Sequence, residues 1–204
     1  MTDERSPGLV LHSPGGTRFH FDPGTLCLEL LPTGGPGHYT RYEILHRPSD
    51  LLEWLGQSRL GLPPGSVRIS DDQLAAVRTL RDALWRLTAA RASGGRTPSD
   101  PDDRTVLNRA AARPPLAPQI ALDGTAAPPL PGDGDQLAST LARDAIALFT
   151  GPHADRIREC GADDCRLLFV DTSRPGRRRW CSMERCGNRH KVRALRARRE
   201  RPEG

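Results

Sequence analysis

Cys160-Gly161-Ala162-Asp163-Asp164-Cys165 and, after fifteen intervening residues, Cys181-Ser182-Met183-Glu184-Arg185-Cys186 form the stretch whose reading decides the fold. The spacing is C-x4-C-x15-C-x4-C. A zinc ion takes four thiolates tetrahedrally at about 2.3 Å, and two close pairs deliver them to one point. Disulfides are the competing use of paired cysteines. The start Met1-Thr2-Asp3-Glu4-Arg5 has no apolar run behind it, so no export signal is expected and a reducing, cytoplasmic setting is. The expectation is one structural Zn2+ held by Cys160, Cys165, Cys181 and Cys186, because four thiolates leave no open coordination position. His190 follows Cys186 by four and could replace a thiolate, but a surface histidine on a basic helix is the simpler assignment.

The connector and the segment after Cys186 define a small module. Leu167-Leu168-Phe169-Val170 is a strand signal, and Ser173-Arg174-Pro175-Gly176 supplies a tight reversal. Arg177-Arg178-Arg179-Trp180 is then expected as the returning strand, with Trp180 in the module's own core. From Arg189 to Arg199 no breaker occurs, so a helix is expected, with Val192 and Leu195 packed on the small core. A knuckle, a β-hairpin and a helix whose first turn supplies a ligand resemble a treble-clef finger. So few apolar side chains make the metal responsible for much of the stability.

These residues also resemble a known family. Cys160…Cys165, Phe169-Val170-Asp171-Thr172-Ser173, Arg178-Arg179-Trp180-Cys181 and Cys186-Gly187-Asn188-Arg189 occur in the order of the CGNR zinc finger, over roughly residues 153–197. In that family the finger follows an α/β-type region called ABATE, and the proteins are described as stress-induced transcriptional regulators. The resemblance implies DNA binding by the finger and a separate domain before it.

Charge is divided along the same line. Residues 156–204 carry 15 basic and 7 acidic side chains, whereas residues 1–155 carry 15 basic and 18 acidic. The overall +5 is thus a mildly acidic body joined to a strongly basic tail, which points to a polyanionic partner for the tail. Lys191 is the sole lysine among 30 basic residues, a skew assigned to codon usage. Leu, Ile, Val and Phe make up about 20% of the chain, so a lean core with long irregular connections is expected. No run of 18 apolar residues occurs, which excludes a transmembrane helix.

The first part of the chain is expected to be a mixed α/β domain over 15–150, giving an α+β protein with the finger at 153–200. Thr17–Asp22 and Thr25–Leu30 alternate around Pro23-Gly24, which predicts a hairpin. Cys27 in its second strand is read as a small buried side chain. Ser49 is expected to cap a short helix at Leu51–Leu55. Ser70-Asp71-Asp72-Gln73 is a capping box, followed by Leu74, Val77, Leu80, Leu84 and Leu87 on one helical face. Asp100-Pro101 should open another helix, Ala117–Leu122 a strand, and residues 124–134 a hinge. A helix is expected from Asp135 to Phe149, with Leu137, Leu141, Ala145 and Leu148 in register. Trp54 and Trp85 are expected in the core. Asp71-Asp72 and Asp102-Asp103 sit in first helical turns, where carboxylates suit the helix dipole.

No catalytic pattern accompanies these elements: there is no GxGxxG after a strand and no Walker, HExxH or GxSxG motif. His12, His20, His38 and His46 have no ligand-spaced partners. The protein is therefore expected to bind and not to catalyse. Arg177, Arg178, Arg179, Arg189, Lys191, Arg193 and Arg196, with Arg174 and Arg185 beside them, are the candidate nucleic-acid contacts. Asn188 is expected to cap the last helix. Arg189 stands between a nucleic-acid contact and a hydrogen bond to Asp171 or a ligand sulfur. DNA is the expected partner, with RNA or a protein as the alternative; Trp180 exposed for base stacking would favour RNA. A homodimer is expected, since one finger spans too little duplex, and the first domain would supply the dimer platform or sense a small-molecule effector. Replacing Cys160 or Cys186 by Ser should unfold the tail and spare residues 1–150.

Overall fold

The computed structural model describes residues 8–13, 15–95, 100–124, 126–127 and 131–199. In chain order the elements are β1 (Leu9–His12), β2 (Arg18–Phe21), α1 (Leu26–Glu29), α2 (Pro48–Gln57), β3 (Val67–Arg68), α3 (Asp71–Ala92), α4 (Asp103–Ala111), β4 (Gln119–Ile120), β5 (Ala126–Ala127), β6 (Gly132–Asp133), α5 (Gly134–Thr150), β7 (Ile157–Glu159), β8 (Leu168–Val170) and α6 (Asn188–Arg199). Among the described residues the strands form four two-stranded sheets. No helix there is long and apolar enough to cross a membrane.

α3 organises the first domain. The Ser70 hydroxyl accepts from the Gln73 amide (3.2 Å) and the Gln73 side chain accepts from the Ser70 amide (3.0 Å), closing the expected capping box. Behind it Leu74, Val77, Leu80 and Leu84 are buried. They meet Leu137, Leu141, Ala145 and Leu148 of α5, buried at the expected spacing. α5 has a second capping box, Asp133 with Gln136, and begins one residue before the expected Asp135. β3 and β6 pair in parallel immediately before these two capped helices, so one short ladder sets α3 and α5 side by side.

Several expectations are corrected. The hairpin forms one strand earlier, from β1 and β2, with Leu9 opposite Phe21, while Leu26–Glu29 is a helical turn. Alternation misled because Glu29, which should face solvent, is fully buried. Arg59 satisfies it through its amide (2.8 Å) and its Nε (2.9 Å). Cys27 is buried as expected, its amide bonded to Asp144 Oδ2 at 2.8 Å. Helix α2 begins at Pro48, and Asp50 rather than Ser49 accepts from the His46 and Arg47 amides at its start. The helix after Asp100-Pro101 begins at Asp103, whose carboxylate is buried in the fork of Arg86 at 2.6–3.0 Å. That contact, more than the helix dipole, explains Asp103, whereas Asp102 stays exposed. The Ala117–Leu122 strand shrinks to Gln119–Ile120. Of the expected hinge, Thr125 and residues 128–130 lie outside the described residues. Trp54 is buried, its Nε1 donating to the Glu29 carbonyl (3.1 Å), and half-buried Trp85 stacks on Tyr39 with ring centroids 4.5 Å apart.

One buried ion pair lies on the apolar face of α3. Arg81, 1% exposed, takes Glu43 in a bidentate grip (2.8 Å twice) and also holds Asp82 (3.0 Å). Burial alone would raise the Glu43 carboxyl, but the bonds from Arg81 and the Leu45 amide (2.9 Å) hold it below the usual range. Removing the guanidinium would leave this buried carboxylate with half-exposed Arg78, whose Nε lies 3.3 Å away, as its remaining ion-pair partner. Arg81→Ala is therefore expected to destabilise the protein by about 3–5 kcal/mol at neutral pH in urea titrations. Because a depressed carboxylate stabilises above its unfolded pKa and loses that contribution as pH falls, the deficit should shrink below about pH 4. An unchanged midpoint would show the pair to be dispensable.

Candidate metal centre and nucleic-acid interface

The finger begins where β7 delivers the chain to Cys160. β7 and β8 pair antiparallel with Ile157 opposite Val170 and Glu159 opposite Leu168, and the Cys160 amide extends the ladder to the Leu167 carbonyl (2.9 Å). The loop then closes with the Cys165 amide on the Ala162 carbonyl (3.0 Å), turning two sulfurs inward. The second pair is set by a wide turn at Met183–Gly187, in which the Cys186 and Gly187 amides both donate to the Ser182 carbonyl at 3.1 Å. This π-type turn runs straight into α6.

All four cysteines are buried, and their sulfurs lie within 4.8 Å of one another. The Cys165–Cys181 and Cys181–Cys186 sulfur separations are 3.7 and 3.5 Å, too long for disulfides. They are close to the ~3.8 Å edge of a tetrahedron with Zn–S bonds of about 2.3 Å. Among the described residues no His or carboxylate joins the group; His190 is exposed and stacks on Trp180 at 4.7 Å. Donor type, number and spacing fit one structural zinc. Each of the four cysteines can ligate the ion only as a thiolate. The ion therefore displaces protons when it binds.

Leu168 and Val170 of β8 face the helical core, while Phe169 faces the cysteines together with Phe19 and Phe21 of β2. The hairpin β1–β2 thus forms one wall of the metal centre from the far end of the chain. Its exit is fastened to β8: the Val170 amide donates to the Pro23 carbonyl (2.9 Å). Gly24 has φ +94°, and a Cβ there would meet Val170 Cγ1 at 2.5 Å, so only glycine fits this crossing. Asp171 is fully buried and accepts from Ser173 N (3.0 Å), Ser173 Oγ (2.5 Å) and Arg178 N (2.8 Å). Burial would raise it, but these bonds hold its pKa below the usual value. The turn expected at Ser173–Gly176 is present, with Gly176 N on the Ser173 carbonyl (3.0 Å).

The structure sorts the basic residues. Arg178 is half-buried and bonds the Trp180 carbonyl (3.1 Å), the Cys181 carbonyl (2.5 Å) and, across to the hairpin, the Asp22 carbonyl (2.9 Å). Its guanidinium also covers the Phe169 ring at 4.2 Å. Arg189 takes Asp164, not Asp171, through two bonds of 2.7 Å, with Nη2 3.6 Å from Cys186 Sγ. Arg174, Arg177, Arg179, Lys191, Arg193 and Arg196 remain exposed, and the side chains of Arg198 and Arg199 lie outside those described.

Three expectations for the finger are overturned. Arg177–Trp180 is not the returning strand, because β8 pairs upstream with β7, whose Ile157 needs burial in the helical core; residues 179 and 161 share one bond, Gly161 N to Arg179 O (2.9 Å). Val192 and Leu195 do not pack inward but are 48% and 50% exposed, since Phe19, Phe21 and Phe169 already fill the core around the cysteines. Asn188 continues the helical run with αR angles, and the turn starts instead at Ser182. Trp180 is half-buried against the metal cluster. A Cβ on Gly187 would meet Met183 Sδ at 2.6 Å and Trp180 Cδ1 at 3.4 Å.

The hairpin wall was not legible as such. Phe19-His20-Phe21 shows two aromatics on one strand face, but nothing local assigns that face to cysteines some 140 residues away. Its position changes the expected effect of ligand loss. Cys186→Ser should abolish zinc binding, and hydrogen exchange should accelerate at residues 9–21 as well as 157–187, while α3 and α5 stay protected. Protection retained at residues 9–21 would show the hairpin to be independent of the metal.

Comparison with known proteins supplies the remaining evidence. The ABATE family profile, described as "Putative stress-induced transcription regulator", matches residues 24–152, and the CGNR zinc finger profile matches residues 156–199. No curated protein matches the chain. Hairpin β1–β2 precedes both matches. The chain belongs to the ABATE family and ends in a CGNR zinc finger, with the four clustered cysteines as its metal-holding residues.

Proposed function

We propose that the protein is a DNA-binding transcriptional regulator that grips duplex through α6 and the exposed arginines beside it, and acts by binding and not by catalysis. One observation carries this reading. The sequence of α6 holds six cationic and no acidic residues over 12 positions, and from Asn188 to Arg196 its described side chains are exposed apart from partly covered Arg189. A free helix of that length is marginal in water, and like charges on neighbouring turns, as at Arg193 and Arg196, weaken it further. A polyanion removes both penalties. A helix fits the major groove, where phosphates take up Lys191, Arg193 and Arg196, and half-exposed Val192 and Leu195 suit thymine methyl groups.

A second surface lies alongside. A cleft of about 660 Å³ is lined in part by His20, Arg177, Arg179, Trp180 and Met183, adding cationic groups near the root of α6. The faces of Trp180 are engaged by His190 at 4.7 Å and by the Arg179 guanidinium at 5.3 Å. That favours duplex over base stacking in single-stranded RNA. In the first domain, an open cleft of about 670 Å³ with Leu87, Leu107, Ile146 and Phe149 in its lining supports a regulatory, effector-sensing role. Exposed Ile120 and Leu122, at 77% and 110%, support pairing of two copies.

The test is fluorescence anisotropy of the full, zinc-loaded chain on duplex DNA across a salt series. The affinity should fall steeply, with a log–log slope of about −0.9 for each phosphate neutralised. Lys191→Gln and Arg196→Gln should each reduce that slope by about 1 and weaken all sequences alike. Absence of duplex binding at low salt, or tighter binding to single strands, would overturn the reading.

A further inference from the structure

A zinc ion ligated by four thiolates leaves two negative charges uncompensated, and the surrounding residues must answer them. Two arginines approach the sulfurs, one for each cysteine pair. Arg185 Nη1 donates toward Cys165 Sγ at 3.9 Å, with its guanidinium 4.7 Å from the Phe19 ring centroid. Arg189 Nη2 lies 3.6 Å from Cys186 Sγ while its fork is held by Asp164. The Nε atoms of both are buried and have no hydrogen-bond partner among the described residues. A guanidinium with an unsatisfied buried N–H is unfavourable unless a compensating anion lies close. Arg178 and Arg156, also drawn inward here, differ: their donors go to carbonyls and not to sulfur.

We propose that Arg185 and Arg189 are positioning residues for the metal: a pair of guanidiniums that neutralise the two excess charges of the tetrathiolate, one on each cysteine pair. Their N–H···S bonds draw electron density from the sulfurs, making those thiolates poorer nucleophiles toward oxidants and slowing loss of the ion. The Asp164 fork holds Arg189 in this orientation and ties the first knuckle to the root of α6. Arg185 binds the aromatic wall from β2 to the same charge, so the hairpin is held to the cluster by a cation shared between a ring and a sulfur. The inference concerns the metal centre alone and stands whatever α6 binds.

The experiment uses the full chain loaded with one zinc and follows transfer of the ion to a chromophoric chelator. Arg185→Gln and Arg189→Gln should each release zinc about tenfold faster. Arg185→Lys and Arg189→Lys should recover part of that difference, since the charge returns without the planar fork. Arg109→Gln, exposed on α4 in the helical domain, should match the parent. In the cobalt-substituted proteins the thiolate-to-metal charge-transfer band should shift in the Gln variants and move back in the Lys variants, with circular dichroism confirming that the helices are intact. Parental release rates in the Gln variants would overturn the proposal. So would faster release with an unshifted band, which assigns the two arginines a packing role only.

Discussion

Leu168-Phe169-Val170 has no polar position, and the molecule is arranged around that fact. A three-residue strand with both faces apolar must be covered twice. The helical domain takes Leu168 and Val170, and the cysteine cluster with the hairpin aromatics takes Phe169. The two halves of the protein therefore share a wall. This differs from a folded domain trailing an independent zinc module, because one three-residue strand packs against both cores. The fastenings around the strand serve the same purpose: Gly24 lets the chain cross against Val170, and Arg178 joins the finger's loop to the Asp22 carbonyl.

Arginine has two separate uses in the finger. Arg178, Arg185 and Arg189 are turned toward carbonyls, rings, sulfurs and a carboxylate, so the tail's formal excess of positive charge overstates what a partner meets. Arg174, Arg177, Arg179, Lys191, Arg193 and Arg196 keep their charge at the surface. Arg81 shows that the first domain follows the same habit, placing a cation inside a lean apolar core where its planar fork satisfies several acceptors at once.

The sequence announced what depends on short spacing and stayed silent on what depends on long separation. The four ligands, the Ser70–Gln73 capping box and the apolar faces of α3 and α5 rest on intervals of three to five residues, and all are present. The Leu26–Glu29 turn was hidden because a charge at an alternating position looks solvent-facing until Arg59 arrives to bury it. Pairing of β8 with β7 instead of with Arg177–Trp180 was hidden because the deciding contact is Ile157 in a core assembled from distant helices. The exposure of Val192 and Leu195 follows from the same source: the space they were expected to fill is occupied by Phe19 and Phe21.

The hairpin wall also imposes an order on synthesis. Phe21 leaves the ribosome some 165 residues ahead of Cys186, an interval of about 8–30 s at ordinary elongation rates. For that time the aromatic pair has no partner, since the cysteines, Phe169 and Arg185 are still to be made. The hairpin strands can find their place only when the last of the four ligands has been made, and a shortage of zinc at that moment would leave newly made chains with uncovered aromatics and loose thiols.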